Sequence, residues 1–253
     1  MNWAKLPSGW VRFPKPCPLT TLTWREHRTQ GTAALVLLIA LAIKLNMSHR
    51  KVTASQQTAK VAVTYDELQS MTGFARATIA KALMLLESMG AINIEKVGRT
   101  SVYGLPEVGI NGRYCQVPQA YLLDGKESEL RRLIRLPTNT RACLNAMKLY
   151  VLFLAYRNHR FDTTAIGYEA IMAHTGMRRA DVPEAFSLLV AHELARASDE
   201  QDEREQDKSK RYRVLGLTRI VTVKGDNAKA QADIPSSVSY SDMSSVNSYD
   251  DIF

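Results

Sequence analysis

The sequence predicts a mainly helical α+β fold with small β-hairpins, in which one order of elements occurs twice. Residues 73–92 (GFARATIAKALMLLESMGAI) align without a gap over residues 176–195 (GMRRADVPEAFSLLVAHELA), and their apolar positions coincide. A long apolar segment and a short helix that opens with tyrosine precede each copy, and a candidate hairpin follows it. Self-similarity at a fixed spacing indicates two structural repeats. The hydrophobic fraction of 45% and the charged fraction of 23% are those of an ordinary globular protein.

Residues 1–30 are predicted to form an extended arm rather than a helix or a strand. The arm combines four prolines with aromatic anchors: Pro7, Pro14, Pro16, Pro18, Trp3, Trp10, Phe13 and Trp24. Proline fixes φ and donates no backbone N–H, which disfavours regular structure. The apolar run AALVLLIALAI that follows (residues 33–43) is about half the roughly 20 residues that span a bilayer. A buried helix is therefore expected there, and no contact with a membrane.

In the first copy, local signals mark a short helix, a turn and a longer helix. Thr64 and Glu67 fit a capping box that begins a helix at about Tyr65. Gly73 supplies the permissive backbone for the turn. The apolar spacing of the next helix buries Ile79, Ala82, Leu83 and Leu86 and leaves Arg76, Ala77, Ala80 and Lys81 on the opposite face. Because Ala75 is a poor N-cap, the start of this helix is uncertain by about a turn.

The second copy departs from the first where Pro183 and Glu184 replace Ala80 and Lys81. The residues from Asp181 to Glu184 fit another capping box with proline in the first turn, so the helix is expected to begin later, near Val182. Both copies end in a candidate hairpin, at residues 92–105 and 198–217, and their closing phrases SVYGL and YRVLGL look alike.

This order of elements resembles the winged helix-turn-helix, and its tandem repetition resembles plasmid replication initiators built from two winged helices. The resemblance covers residues 31–217 and implies a DNA-binding role for small, polar and basic residues of the second helix, of the turn before it and of the hairpin. In the first copy these are Arg76, Ala77, Thr78, Lys81, Lys96, Arg99 and Thr100. In the second they are Arg178, Arg179, Lys210, Arg211 and Arg213. The alternative is a solvated helix face that carries ordinary positive charges.

Five segments are predicted. They are the arm (1–30), a first winged-helix domain (31–105), a linker or dimer-contact region (106–141), a second winged-helix domain (142–217) and a serine-rich, acidic, disordered tail (218–253). The basic helix ELRRLIRL in the linker leaves a homodimer open. The tail ends in Asp250, Asp251, Ile252 and Phe253, which is similar to the C-terminal tip of bacterial single-stranded-DNA-binding proteins, although the proline before the last residue of that tip is missing. The similarity implies docking of a replication protein; the alternative is a solvated tail.

Charge and cysteine content agree with a cytoplasmic DNA-binding protein. The formal charge of the chain is +8, and its basic excess lies in the first two thirds, where residues 1–63 alone carry nine Lys/Arg against one Glu. Clustered cations of this kind displace counterions from phosphates. Three cysteines without a C-x-x-C pair leave one unpaired in any disulfide scheme.

We expect no enzyme, cofactor or metal, because the chain has no phosphate-binding loop, zinc-binding histidine pair or nucleophile elbow. The prediction is sequence-specific binding of double-stranded DNA in plasmid or phage-type replication. The alternatives are a transcriptional repressor, a plasmid partition protein, or an adaptor that recruits a helicase or another replication protein through its tail.

Overall fold

The computed structural model describes residues 2–48, 58–97, 100–108, 113–123, 129–158, 162–198 and 210–217, which all belong to one compact unit, Met1–Ile220. Its helices are α1 (Gly9–Arg12), α2 (Trp24–Ser48), α3 (Tyr65–Thr72), α4 (Arg76–Ser88), α5 (Gln119–Leu122), α6 (Arg131–Ile134), α7 (Arg141–Tyr156), α8 (Tyr168–Thr175) and α9 (Asp181–Ala191), with a 3₁₀ helix at Pro18–Thr21. Its strands are β1 (Ala4–Pro7), β2 (Thr58–Ala62), β3 (Asn93–Val97), β4 (Thr100–Pro106), β5 (Tyr114–Val117), β6 (Thr164–Ala165), β7 (Ala195–Ala197) and β8 (Arg211–Val214). The predicted α+β class is confirmed.

One topology occurs twice, as the repeat predicts. The order helix, strand, helix, helix, strand, strand is formed by α2 to β4 and again by α7 to β8. Both sheets are antiparallel and place their last strand in the middle, in the orders β2-β4-β3 and β6-β8-β7. The two copies therefore agree in strand order as well as in sequence pattern.

The strand register shows where the two copies differ in length. Tyr103 lies opposite Val61 and Ile94, and Tyr212 lies opposite Thr164 and Ala197. The outer strands keep the spacing of the gapless alignment, whereas the two tyrosines are six residues further apart, so the additional residues of the second copy lie within its hairpin. The phrases SVYGL and YRVLGL look alike, but their shared Gly-Leu endings lie three residues out of register in the two sheets.

The two long helices, α2 and α7, form the centre of the core. They pack against each other, and α2 also packs on α4 while α7 packs on α9. The apolar run of residues 33–43 is entirely buried, as predicted. By length and composition α2 could cross a membrane, since an 18-residue window within it has a mean hydropathy of 1.8. However, 78% of that window is buried inside the protein, as in the core helix of a soluble protein.

The N-terminal segment is not an extended arm. Strand β1 pairs with β5 of the linker, and Leu6, Val11 and Leu19 are fully buried. Its apolar side chains pack against a surface formed by residues more than a hundred positions later in the chain. Burial of that apolar area outweighs the weak local preference of the prolines for irregular structure. The prediction was wrong because it considered only local propensity.

The linker packs against both copies. The backbone N–H of Leu130 donates to the carbonyl of Met71 at the end of α3. At the other end, the Tyr121 hydroxyl donates to the Glu193 carbonyl, 2.9 Å away, in the turn after α9. The predicted domain boundaries and the predicted homodimer remain predictions, but within the described residues the linker is part of one fold.

Candidate nucleic-acid interface

Helix α4 offers the surface on which the DNA-binding prediction depends. It begins at Arg76 after an Ala75 N-cap that makes no side-chain hydrogen bond. Its buried positions are those predicted, and Arg76, Ala77 and Lys81 are exposed while Thr78 is half-buried. The start of the helix is thus fixed, and its exposed face combines small side chains with two cations at the N-terminal half. Such a face allows close approach to a groove.

The turn before α4 is formed in the same way in both copies. Gly73 and Gly176 adopt left-handed φ values of 73° and 67°. The hydroxyl of the preceding threonine, Thr72 or Thr175, donates to a carbonyl one turn earlier in its helix, at 2.6 Å in each copy. The same oxygen accepts from the backbone N–H two residues later. The turn that aims the second helix is therefore stabilised identically in the two copies.

An exposed ion pair also repeats. The Arg76 guanidinium donates to the Asp66 carboxylate, and at the matching positions of the second copy Arg179 donates to Glu169 at 3.1 Å. Both arginines are about two-thirds exposed. Exposed ion pairs contribute only about 0–1 kcal/mol, so a phosphate can replace the carboxylate at small cost. These carboxylates hold Arg76 at the start of α4 and Arg179 in the turn before α9.

The first hairpin is formed as predicted, with β3 and β4 in antiparallel register. Lys96 is exposed and lies opposite Ser101. Across the sheet, Lys60 of β2 forms an ion pair with Glu95, 2.8 Å between Nζ and Oε1. Arg99 and the side chain of Thr100 lie outside the described residues.

The second helix of the second copy begins late, as predicted, but not through a capping box. Helix α9 starts at Asp181, with Ala180 as an N-cap that makes no side-chain hydrogen bond. The Asp181 carboxylate, only 10% exposed, instead accepts two hydrogen bonds from Arg178, at 2.9 and 3.1 Å, and one from Arg141. The hydrogen bonds from Arg178, followed by the charge of Arg141, hold the pKa of Asp181 below its usual value. Two guanidiniums compete for this carboxylate, which is why it does not cap the helix.

The cationic groups of Arg179 and Lys210 both lie close to the ring of Tyr168. The Arg179 guanidinium lies 5.4 Å and the Lys210 ammonium 5.1 Å from the centre of the Tyr168 ring. The structure therefore brings the turn before α9 together with the base of the second hairpin. Tyr168 was not predicted as a site residue, although the tyrosine that opens the short helix of each copy was the available signal.

Strand β8 carries two further predicted site residues, Arg211 and Arg213, which alternate with buried Tyr212 and Val214. Both arginines are half-buried, and Arg213 lies opposite the exposed Arg196 of β7. Arg196 was missed; its alternation with two alanines was the signal that would have placed it on the outer face of the sheet. Two guanidiniums side by side on one face favour an anionic partner.

The remaining predictions concern the tail and the absence of reactive groups. Asp250, Asp251, Ile252 and Phe253 lie outside the described residues. Within the described ranges, no cluster of three or more His, Cys, Asp or Glu side chains is placed to hold a metal. The three cysteines are free and buried, and burial raises the pKa of Cys115 and of Cys143 to about 12. These thiols are therefore protonated and poor nucleophiles at neutral pH.

Comparison with known proteins finds no match to this chain among family models, curated proteins or solved structures. Function must therefore be inferred from the residues and the geometry of this chain.

Proposed function

We propose that the protein binds specific double-stranded DNA through two tandem winged helices, as a cytoplasmic initiator of plasmid or phage-type replication. The observation that carries the proposal is the repeated element and strand order, with α4 exposing small and basic side chains beside a hairpin that carries Lys96. Arg76, Thr78 and Lys81 contact base edges or phosphates from the N-terminal half of α4. The hairpin follows the phosphate backbone.

The two copies contribute unequally in this proposal. In the second copy the helix begins at Asp181, two residues after the position that matches Arg76, and its exposed Glu184 stands where Lys81 stands in the first copy. Negative charge opposes entry into a groove that is flanked by phosphates. The second copy therefore binds the backbone through Arg178, Arg179 and Lys210 rather than reading bases.

The proposal is tested by selecting binding sites with the wild-type chain and with the double variant Arg76→Ala, Lys81→Ala. Each lost base contact is worth about 1–3 kcal/mol, so sequence preference should fall by roughly 5- to 150-fold per contact. The matched control is Lys5→Ala with Lys15→Ala, which removes the same charge from the N-terminal segment and should leave the preference unchanged. Unchanged preference in the α4 variant would refute the assignment.

A repressor and a partition protein are the alternatives within the DNA-binding class. Footprinting of the selected site distinguishes a repressor from an initiator. A repressor dimer protects a single palindrome, whereas an initiator of this architecture protects several direct repeats. The adaptor alternative predicts that deletion of residues 249–253 leaves DNA affinity intact and removes binding to a purified helicase. Retained helicase binding in the deletion variant would dismiss the adaptor role.

A further inference from the structure

A cavity of about 310 Å³ lies beside the turn that precedes α9, away from the exposed face of α4. It is lined by the start of α2, by one side of α7 and by the turn at Gly176 and Met177. Its charged and amide lining residues are Arg25, Arg141, Asn145, Lys148 and Asp181. Three cations thus share one cavity with one carboxylate.

Lys148 is the least accessible of these cations. The residue is 4% exposed, and its ammonium donates one hydrogen bond, to the Thr175 carbonyl at 2.7 Å. No carboxylate of the described residues lies within ion-pair distance of it. An ammonium has three donors, and the end of helix α8 supplies at most about half a negative charge. Burial accordingly lowers the pKa of Lys148 to about 8.

The guanidiniums near the cavity outnumber the carboxylates available to them. Arg25 is exposed at the rim and has no ion-pair partner among the described residues. Arg141 shares the Asp181 carboxylate with Arg178, whose guanidinium holds both of its oxygens. One carboxylate therefore serves two arginines, and the described residues supply no anion to Arg25 or Lys148.

We infer that this cavity binds a small anion that carries a phosphate group, held by Lys148 at the inner wall and by Arg25 at the rim. The volume is at the low end of small-molecule sites, which matches a phosphate or a small phosphate ester. A free anion is favoured over a phosphate of the DNA backbone because Lys148 is almost inaccessible from the surface, where a duplex would lie. The inference does not depend on the proposed DNA-binding function.

The test uses the full chain without DNA and inorganic phosphate as the probe. Thermal unfolding is followed at pH 7 against phosphate concentration, with chloride at matched ionic strength as the reference, and calorimetric titration measures the affinity. Saturable stabilisation by phosphate is expected, because a ligand that binds only the folded state raises its stability by mass action. Lys148→Met should abolish the response, and Arg25→Gln should weaken affinity by roughly tenfold or more, the effect of a lost hydrogen bond to a charged group.

The matched control is Lys15→Met, the same substitution at an exposed lysine that does not line the cavity, which should keep the full phosphate response. Because Arg25 is exposed, Arg25→Gln keeps the test valid even if Lys148→Met fails to fold. No saturable response in the wild type, or an undiminished response in Lys148→Met and Arg25→Gln, would overturn the inference. Loss of DNA affinity in Arg25→Gln with no phosphate response would assign the cavity to the DNA backbone and also overturn it.

Discussion

Replacing Lys148 with methionine should stabilise the protein at neutral pH and destabilise it at high pH. The side chain is buried in α7, and its ammonium has one carbonyl partner and no carboxylate among the described residues. Methionine keeps the length and most of the volume of lysine, so the substitution removes the charge with little change in packing.

The magnitude follows from the pKa of the ammonium. Burial lowers it from the ordinary 10.5 to about 8, so the protonated lysine costs the folded state about 3 kcal/mol at pH 7. Lys148→Met removes this cost and also removes the hydrogen bond to the Thr175 carbonyl, which is worth about 1–2 kcal/mol. The variant should therefore be more stable than the wild type by about 1–2 kcal/mol at pH 7.

The sign of the pH dependence that Lys148 contributes is opposite to that of the buried cysteine thiols. Between pH 8 and 10.5 the unfolded lysine still holds its proton while the folded one has lost it, so wild-type stability rises through this window as far as Lys148 is concerned. Buried thiols act in the opposite direction, since the raised pKa of Cys115 and of Cys143 makes stability fall as pH rises above 9. The difference between wild type and Lys148→Met cancels these shared contributions.

Urea unfolding of both proteins at half-unit steps from pH 7 to 10.5, in phosphate-free buffers, measures this difference directly. The stability advantage of the variant should shrink by about 3 kcal/mol across the range and change sign near its upper end. A difference that stays constant with pH would refute the reasoning, because it would mean that the folded state does not alter the proton affinity of Lys148.

Three further substitutions test the local structure by urea unfolding. Thr64→Ala should cost about 1 kcal/mol, because the capping box in which Thr64 accepts from the Glu67 backbone N–H is lost; no change would mean that α3 does not need its cap. Gly73→Ala should cost about 1 kcal/mol, since φ is 73° and the added methyl group meets only the Ile134 side chain, at an ordinary contact distance of 3.6 Å; a gain in stability would contradict the left-handed turn. Asp162→Asn should cost about 3–5 kcal/mol, because it removes the negative charge that faces the buried Arg157 guanidinium, whose Nε lies 2.7 Å from the carboxylate; a loss below 1 kcal/mol would show that the pair is solvated.

The parts of the fold that could be predicted from sequence are those that local signals determine. The capping box at Thr64 and the turn at Gly73 depend on residues within a few positions of each other, and both are present in the structure. The buried positions of α4 follow from a period of 3.6 residues, which the surrounding fold does not alter.

The parts that could not be predicted depend on distant partners. Strand β1 forms because β5 is available to pair with it, and nothing within residues 1–30 announces that strand. Asp181 was expected to cap α9, but Arg141, forty residues earlier, and Arg178 take its carboxylate. The cavity at Lys148 joins α2, α7 and the turn before α9, so no single stretch of sequence contains it.

The two copies agree in the turn that precedes the second helix, and they differ at the exposed start of that helix. The threonine hydroxyl bonds and the left-handed glycine recur at matching positions because the angle between two packed helices depends on them. The second helix, by contrast, starts with a regular turn at Arg76 in one copy and after an irregular turn held by Arg178 and Asp181 in the other. A protein that used both helices equally would need the same exposed face twice. The asymmetry instead favours one copy that reads bases and a second that holds the phosphate backbone, which the separate effects of substitutions in α4 and at Arg179 would reveal.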